Sequence, residues 1–404
     1  MSFFVVVFGV LALFYGYAGW RLIPSLRLGP PWAAVAWIGV AGLFGLLFVA
    51  VRSRHDPSPA LAHQLAAWIA YIGLGFVVLA FSLVVVRDLV WLLVGGTRRA
   101  LDLLVGLLGA SGADLDPLPD PGRRRFLFRA TSLGIVGLTA GLTGVGIWAA
   151  RRRLRVLYVS IPIPGLPASL EGMRILQLSD LHVGNTVGRG FVQRVVDRAR
   201  REVADLIVLT GDLADGSVPA LRQEVSPLAE LSAPLGLYFV TGNHEYYTPD
   251  PQAWIDEVQD MGFTVLLNEH RLLERQGGRI LLAGVTDHSA GSHLHSHASN
   301  PAAAMAGAPP ADVRIMLAHQ PVSIFETAKT GCHLQLSGHT HGGQFVPWTF
   351  VVPLQQPYVA GLHRHEDAWI YVNRGAGYWG PPLRLGPPAE ISLFTLTRAP
   401  AAPA

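Results

Sequence analysis

Cysteine occurs once in the 404 residues, at Cys332, so no disulfide framework can form within the chain. Charge is scarce too: 15% of residues are Asp, Glu, Lys or Arg, 50% are hydrophobic, and mean hydropathy is +0.36. These proportions exclude a disordered or nucleic-acid-coating chain and are too apolar for an ordinary soluble enzyme. Lysine and glutamate are missing from residues 1–150, where eleven Arg and six Asp give net +5. Residues 151–404 hold the other 20 basic and 22 acidic residues and thirteen of the fifteen histidines. An apolar half edged with Arg beside a polar, His-rich half predicts a membrane anchor, residues 1–150, and a globular domain, residues 151–404.

Crossing a bilayer takes ~20 apolar residues. Four segments qualify, at about 3–20, 31–51, 65–86 and 131–150, so the expectation is a bundle of about four transmembrane helices. No basic stretch precedes the first run, and Arg21 and Arg27 follow it, so it reads as a retained helix and not a cleavable signal. The third run meets Arg87 and Asp88, continues as Leu89–Val94, and gives way at 98–120 to a predicted loop with an amphipathic helix at 100–108. Apart from Arg87 and Asp88 the spans lack ionisable groups, which argues against a translocation path.

Arg123-Arg124-Arg125-Phe126-Leu127 has the form of a twin-arginine export signal or of a plain cytoplasmic Arg cluster. Both put residue 123 in the cytoplasm. Loop Arg then number eight inside and six outside, so the expectation is a multi-pass protein of the cell membrane with its globular domain extracytoplasmic.

Beyond residue 155, short β-branched runs separated by Gly, Pro and Asp predict strands at 156–161, 173–178, 206–210, 236–241, 279–284, 313–318, 333–337, 369–373 and 390–396. Phe191, Val192, Val195, Val196 and Ala199 recur at helical spacing, and further helices are expected at 251–261 and 321–329. The alternation predicts an α/β domain.

Five of those strands run into metal-capable side chains. They lead in turn to Asp180 and His182, to Asp212, to Asn243-His244-Glu245, to His319, and to His339 and His341. Ligands collect at the carboxyl ends of strands in open α/β sheets, so five such turns can converge on one site. Residues spaced i, i+2 on extended chain share a face, which pairs Asp180 with His182 and His339 with His341. Mixed carboxylate and imidazole donors suit Mn, Fe, Zn or Co. Paired ions ~3.5–4 Å apart need a bridging group, and Asp212 on its Gly turn is the natural candidate.

The order D-x-H, G-D, G-N-H-E, H, G-H-T-H resembles the calcineurin-like metallophosphoesterase superfamily. The flanks Leu209–Leu213, Gly242–Tyr247 and Leu336–Gln344 look like its bacterial membrane-anchored YkuE-like branch, over about residues 155–397. The resemblance implies a calcineurin-like two-sheet β-sandwich with helices on its outer faces. It implies a first divalent ion on Asp180, His182, Asp212 and His341, a second on Asp212, Asn243, His319 and His339, and catalysis by His244 beside Asp212. A metal-bridging hydroxide would attack phosphorus, with His244 held by a carboxylate such as Asp180 or Glu245. No P-loop or Gly-rich nucleotide fingerprint is present, and no nucleic-acid partner is expected.

The anchor and the aromatics Trp348, Phe350, Tyr358 and Trp379 point to a lipid-linked or envelope phosphoester, with a soluble ester as the alternative. The competing function is a non-catalytic membrane module of the same fold that senses metal or ligand. His288, His293, His295 and His297 read as a polar loop over the pocket, and Cys332 as a small core residue. Arg374 and Arg384 are open between phosphate contact and packing.

Overall fold

In the computed structural model, residues 2–56, 61–107 and 121–399 are described. Long apolar runs, with Pro confined to the first turn where its missing N–H costs nothing, wind into long helices: α1 (Ser2–Leu22), α2 (Pro30–Ser53), α3 (Leu61–Leu107) and α4 (Pro121–Arg152). All four are long and apolar enough to cross a membrane. Many of their Leu, Val, Ile and Trp side chains are exposed.

The expected break at residue 98 does not occur. α3 runs through Arg99 to Leu107, because Arg and Leu are good helix formers and residues 98–107 contain no Pro. The rest of that predicted loop, 108–120, lies outside the described residues. Residues 123–128 form early turns of α4. Asp88 sits within α3 and is neutralised by Arg21 at 2.6 Å, while Arg87 Nη1 donates to Ser132 Oγ at 2.8 Å.

The chain divides into two compact units: residues 1–48 with 69–145, and residues 49–68 with 146–404. In the second, β1 (Leu154–Ile163), β12 (Ala389–Arg398), β2 (Arg174–Leu178), β3 (Leu206–Thr210), β4 (Leu237–Val240) and β5 (Thr264–Val265) make one sheet in that order. The other sheet runs β10 (Gly361–His365), β11 (Ala368–Val372), β9 (Leu334–Ser337), β8 (Val313–Leu317), β7 (Gly278–Gly284) and β6 (Glu269–Arg275). Both are mixed, with parallel cores β2–β3–β4–β5 and β7–β8–β9–β11.

The period-2 pattern decides which core each residue joins. Ile175, Leu206, Val208, Ile280, Ile315 and Leu336 meet between the sheets. Leu176, Leu178, Ile207, Leu209 and Phe239 face outward, under α5 (Arg189–Ala199), α6 (Val218–Val225) and α8 (Pro251–Asp260). Ala283, Met316 and buried Cys332 pack on the far face of the second sheet. This is a two-sheet sandwich flanked by helices. The helix expected at 321–329 is three short turns, Pro321–Ser323, Ile324–Thr327 and Ala328–Thr330.

Gln177 stitches the sheets together where the site forms. It points into the sandwich and its Nε2 donates to Thr210 Oγ1 on β3 (2.8 Å) and to the Ser337 carbonyl on β9 (3.0 Å). The carboxyl ends of parallel strands from both sheets thereby share one edge.

Candidate metal centre

That edge holds every chemistry-bearing residue expected from the sequence. Asp180 follows β2, Asp212 follows β3, Asn243 and His244 follow β4 on the short helix α7 (Asn243–Tyr246), His319 follows β8, and His339 and His341 follow β9. The turns bond to one another: Asp180 N donates to the Gly211 carbonyl (3.1 Å), His182 N to the Asp212 carbonyl (3.1 Å), and Gly338 N to the His319 carbonyl (2.9 Å).

The residues do not converge by extended alternation. Asp180, His182, Asp212, His339 and His341 all have left-handed backbone, with φ of 52°, 49°, 52°, 72° and 50°. Such conformations cost of order 1–3 kcal/mol each and persist where the surroundings over-determine them. Consequently His339 and His341 serve different clusters. Asp180, His182 and His341 offer atoms within 4.8 Å of one another, as do Asp212, His319 and His339, and also His182, Asp212 and His244.

Asp212 stands between the clusters, its Oδ2 lying 3.5 Å from His182 Nε2 and 3.1 Å from His319 Nε2. His182 Nε2 and His341 Nε2 face each other at 3.0 Å, and His339 Nδ1 and His319 Nε2 at 3.3 Å. Glycines make room for this. A Cβ on Gly242 would lie 2.2 Å from Asp212 Oδ1, and one on Gly338 2.2 Å from Asp180 Oδ2.

The expected partners of His244 are corrected by the structure. Its Nδ1 meets Asp215 Oδ1 at 2.7 Å, and the same oxygen meets His182 Nδ1 at 2.8 Å. Asp180 instead accepts from His339 N (2.9 Å), and Glu245 accepts from the backbone N–H groups of Gly242, Asp212 and Leu213 (2.6, 3.0 and 2.8 Å). Asp215 belongs to no motif read from the sequence. Its one signal is Ala214-Asp215-Gly216, which reads as a turn.

Burial and charge oppose each other at Asp215 and His182 and act together at His339, His341 and Glu245. Burial would raise the Asp215 carboxyl, but His182 and His244 outweigh it and hold it well below the carboxylate range. Burial would lower His182, yet Asp215 and then Asp212 push it up to about 9. His339 is pushed down to about 3 by burial and by His319, and His341 also falls, through burial and His182. Burial and Asp212 push Glu245 up to about 7.

These residues fit divalent ions. The buried Asn243 Oδ1 has no hydrogen-bond partner among the described residues, an exception that calls for an explanation such as an ion. Neutral imidazole, the form favoured at His339 and His341, is the ligating form. Carboxylate and imidazole together suit Mn, Fe, Zn or Co.

Arg384, open between two roles in the sequence, is a buried strut. Its Nη2 donates to the carbonyls of Arg374, Gly375 and Gly377 (2.6, 2.9 and 2.6 Å) and faces His341 Nδ1 at 3.3 Å. Arg374 pairs with Glu390 at 2.6 Å. In the His-rich stretch, His288, His293 and His295 are exposed, and His297 Nδ1 meets Tyr246 Oη at 3.0 Å. No metal cluster forms there among the described residues.

Residues 173–343 match the calcineurin-like phosphoesterase family. The chain is 38% identical over 279 residues to a transmembrane protein with metallophosphoesterase domain from Danio rerio, covering 67% of this chain and 64% of that one. The Bos taurus protein of the same description is 36% identical over 315 residues, covering 76% and 69%. The uncharacterised metallophosphoesterase YkuE of Bacillus subtilis is 31% identical over 239 residues, covering 57% and 81%. The match thus spans about two thirds of the two vertebrate relatives. The chain belongs to the calcineurin-like metallophosphoesterases.

Proposed function

We propose that the protein is a membrane-anchored phosphoesterase that works with two divalent metal ions. The observation that carries this is Asp212, whose Oδ2 reaches toward His182 of one cluster and His319 of the other. Asp180, His182, Asp212 and His341 would hold the first ion, and Asp212, Asn243, His319 and His339 the second. When bound, the ions would offset charge on the phosphoryl oxygens and acidify the attacking water toward pKa ~7.

The chain's own residues supply the rest. With Nδ1 held by Asp215, His244 would use its other nitrogen to stabilise the phosphoryl group or to give a proton to the leaving oxygen. Glu245, tied to three backbone N–H groups, holds the Asp212 turn and the Asn243 turn together. Four helices able to span a bilayer support the anchor. The excess of Arg at 21, 27, 98, 99, 123–125 and 129, eight against six on the other side, supports an extracytoplasmic domain.

The test is an assay of full-length protein in detergent, stripped by chelator and reloaded with Mn²⁺, Fe²⁺, Zn²⁺ or Co²⁺, on p-nitrophenyl phosphate and bis(p-nitrophenyl) phosphate. Two bound metal equivalents and metal-dependent turnover are expected. Absence of turnover on both esters with all four ions overturns the proposal.

A further inference from the structure

The catalytic edge is tied to the ends of two of the long apolar helices, within one compact unit. Asn185, three residues after His182, donates from Nδ2 to the Ala50 carbonyl of α2 at 3.0 Å. Beside Asp215, Ser217 Oγ donates to the His55 carbonyl (3.3 Å), and Gly216 leaves no room for a Cβ, which would lie 2.2 Å from the Arg54 carbonyl oxygen. Arg384, whose side chain props His341, donates through its backbone N to the Gly146 carbonyl of α4 at 3.1 Å. Gly146 is six residues before Arg152, ~9 Å along the helix, and lies inside the apolar stretch Arg125–Arg152. The loop around Leu383 and Leu385 therefore meets α4 at a depth where α4 is still apolar.

The same loop continues toward the metal centre through Gln344 and Trp379. Leu385 N donates to the Gln344 carbonyl (2.9 Å), and the Gln344 side chain bonds both Trp379 N and Trp379 O (3.0 Å each). The Trp379 ring stands 6.2 Å from His244 and 6.4 Å from Trp348. In the helical turns that begin at Trp348, Phe350 is 71% exposed and Leu354 84%, and Trp379 itself is 47% exposed. Beside the end of α4, Arg151, Arg152, Arg194 and Arg201 line a groove of about 280 Å³ in which Asp197 is the acidic residue. Such a groove complements anionic headgroups. Exposed apolar side chains on the turns from Trp348, a basic groove beside the end of α4, and helix ends bonded to turns that carry the metal-site residues each suit a lipid surface.

We propose that the metal centre takes a lipid phosphoester from the bilayer that α2 and α4 enter, its phosphate in the centre and its apolar part against Trp379, Phe350 and Leu354. This rests on the phosphoesterase function proposed for the same site. Hydrolysis breaks the bond from phosphorus to the leaving oxygen, joins water's oxygen to phosphorus, and passes water's proton to the leaving group or to solvent.

The test uses the full chain in phosphatidylcholine nanodiscs with Mn²⁺. The embedded probe is a dioleoylglycerol p-nitrophenyl phosphodiester, and the soluble one is bis(p-nitrophenyl) phosphate. Both should be turned over, and the double variant Phe350→Ser/Leu354→Ser should lose at least about tenfold on the lipid while staying within about twofold on the soluble ester. Turnover of the soluble ester without the lipid, or equal effects of the variant on both, overturns the lipid assignment alone. No turnover of either probe with Mn²⁺, nor with Fe²⁺, Zn²⁺ or Co²⁺ in its place, overturns the phosphoesterase function and this inference with it.

Discussion

His244 Nδ1 and Asp215 Oδ1 are 2.7 Å apart, and that one oxygen also meets His182 Nδ1 at 2.8 Å. A single carboxylate thus sets the ring orientation of the proposed catalytic histidine and of a proposed metal ligand. A carboxylate on the far nitrogen fixes the tautomer and raises the basicity of the near one.

Asp215→Ala should therefore lower kcat by about 10- to 100-fold and raise the Mn²⁺ concentration needed for half-activation, since both rings lose their anchor. Asp215→Asn, which keeps an acceptor oxygen, should recover part of each. Steady-state rates across a Mn²⁺ titration check this, with near-UV circular dichroism reporting the fold. An Asp215→Ala protein with wild-type values for both would remove Asp215 from the machinery.

His244→Ala and Asp212→Ala should both be nearly inactive, but for different reasons. Loss of His244 removes a proton donor or phosphoryl contact, worth about 10²–10⁴ in rate, and should leave two metal equivalents in place. Loss of Asp212 takes away the group reaching both clusters, so metal content should fall as well. Elemental analysis of the purified variants separates the two.

Gly242→Ala tests the space around Asp212. Its Cβ would lie 2.2 Å from Asp212 Oδ1 and 2.5 Å from Asp212 N, so the β3 and β4 turns must part. A displacement of about 1 Å in a positioned group can cost 10²-fold in rate, and a loss of that size in kcat/KM is expected, alongside weaker metal binding by calorimetry.

How much of this was legible beforehand depended on the range of each interaction. The strand-end clusters were readable because five strands place Asp, His and Asn at their own carboxyl ends, a local signal. Asp215 was not, since what defines it is contact with side chains 29 and 33 residues away. Arg384 meets His341 across 43 residues, and Gln177 joins Ser337 across 160, pairings that no spacing displays. The left-handed backbone at five of the site residues was equally hidden, because Asp and His adopt it only occasionally and it is the assembled edge that enforces it. The edge strand β6 was missed because its residues are mostly half-buried or exposed, which blunts the hydrophobic alternation.

That enforced backbone predicts a stability cost on metal removal. Chelation would leave converging donors and five left-handed residues without the ions that reward them. Ligand binding to the native state alone adds RT ln(1 + [L]/Kd), about 2.7 kcal/mol at a hundredfold excess over Kd. Thermal unfolding of the full chain in detergent should shift down on chelation and return with Mn²⁺, and an unchanged Tm would count against metal binding at this edge.

Cys332 offers a check on the fold that is independent of metal. It is buried behind the second sheet, its Sγ lies 3.1 Å from the Leu334 carbonyl, and burial pushes its thiol up to about 12. Reactivity follows the thiolate fraction, which at pH 8 is then about one part in ten thousand. Native protein should show no labelling by a maleimide or by iodoacetamide at pH 8 over an hour, and denatured protein should take up one equivalent. Rapid labelling of the native chain would mean that the sheet's outer face opens far more readily than its packing of Ala283, Met316 and Cys332 implies.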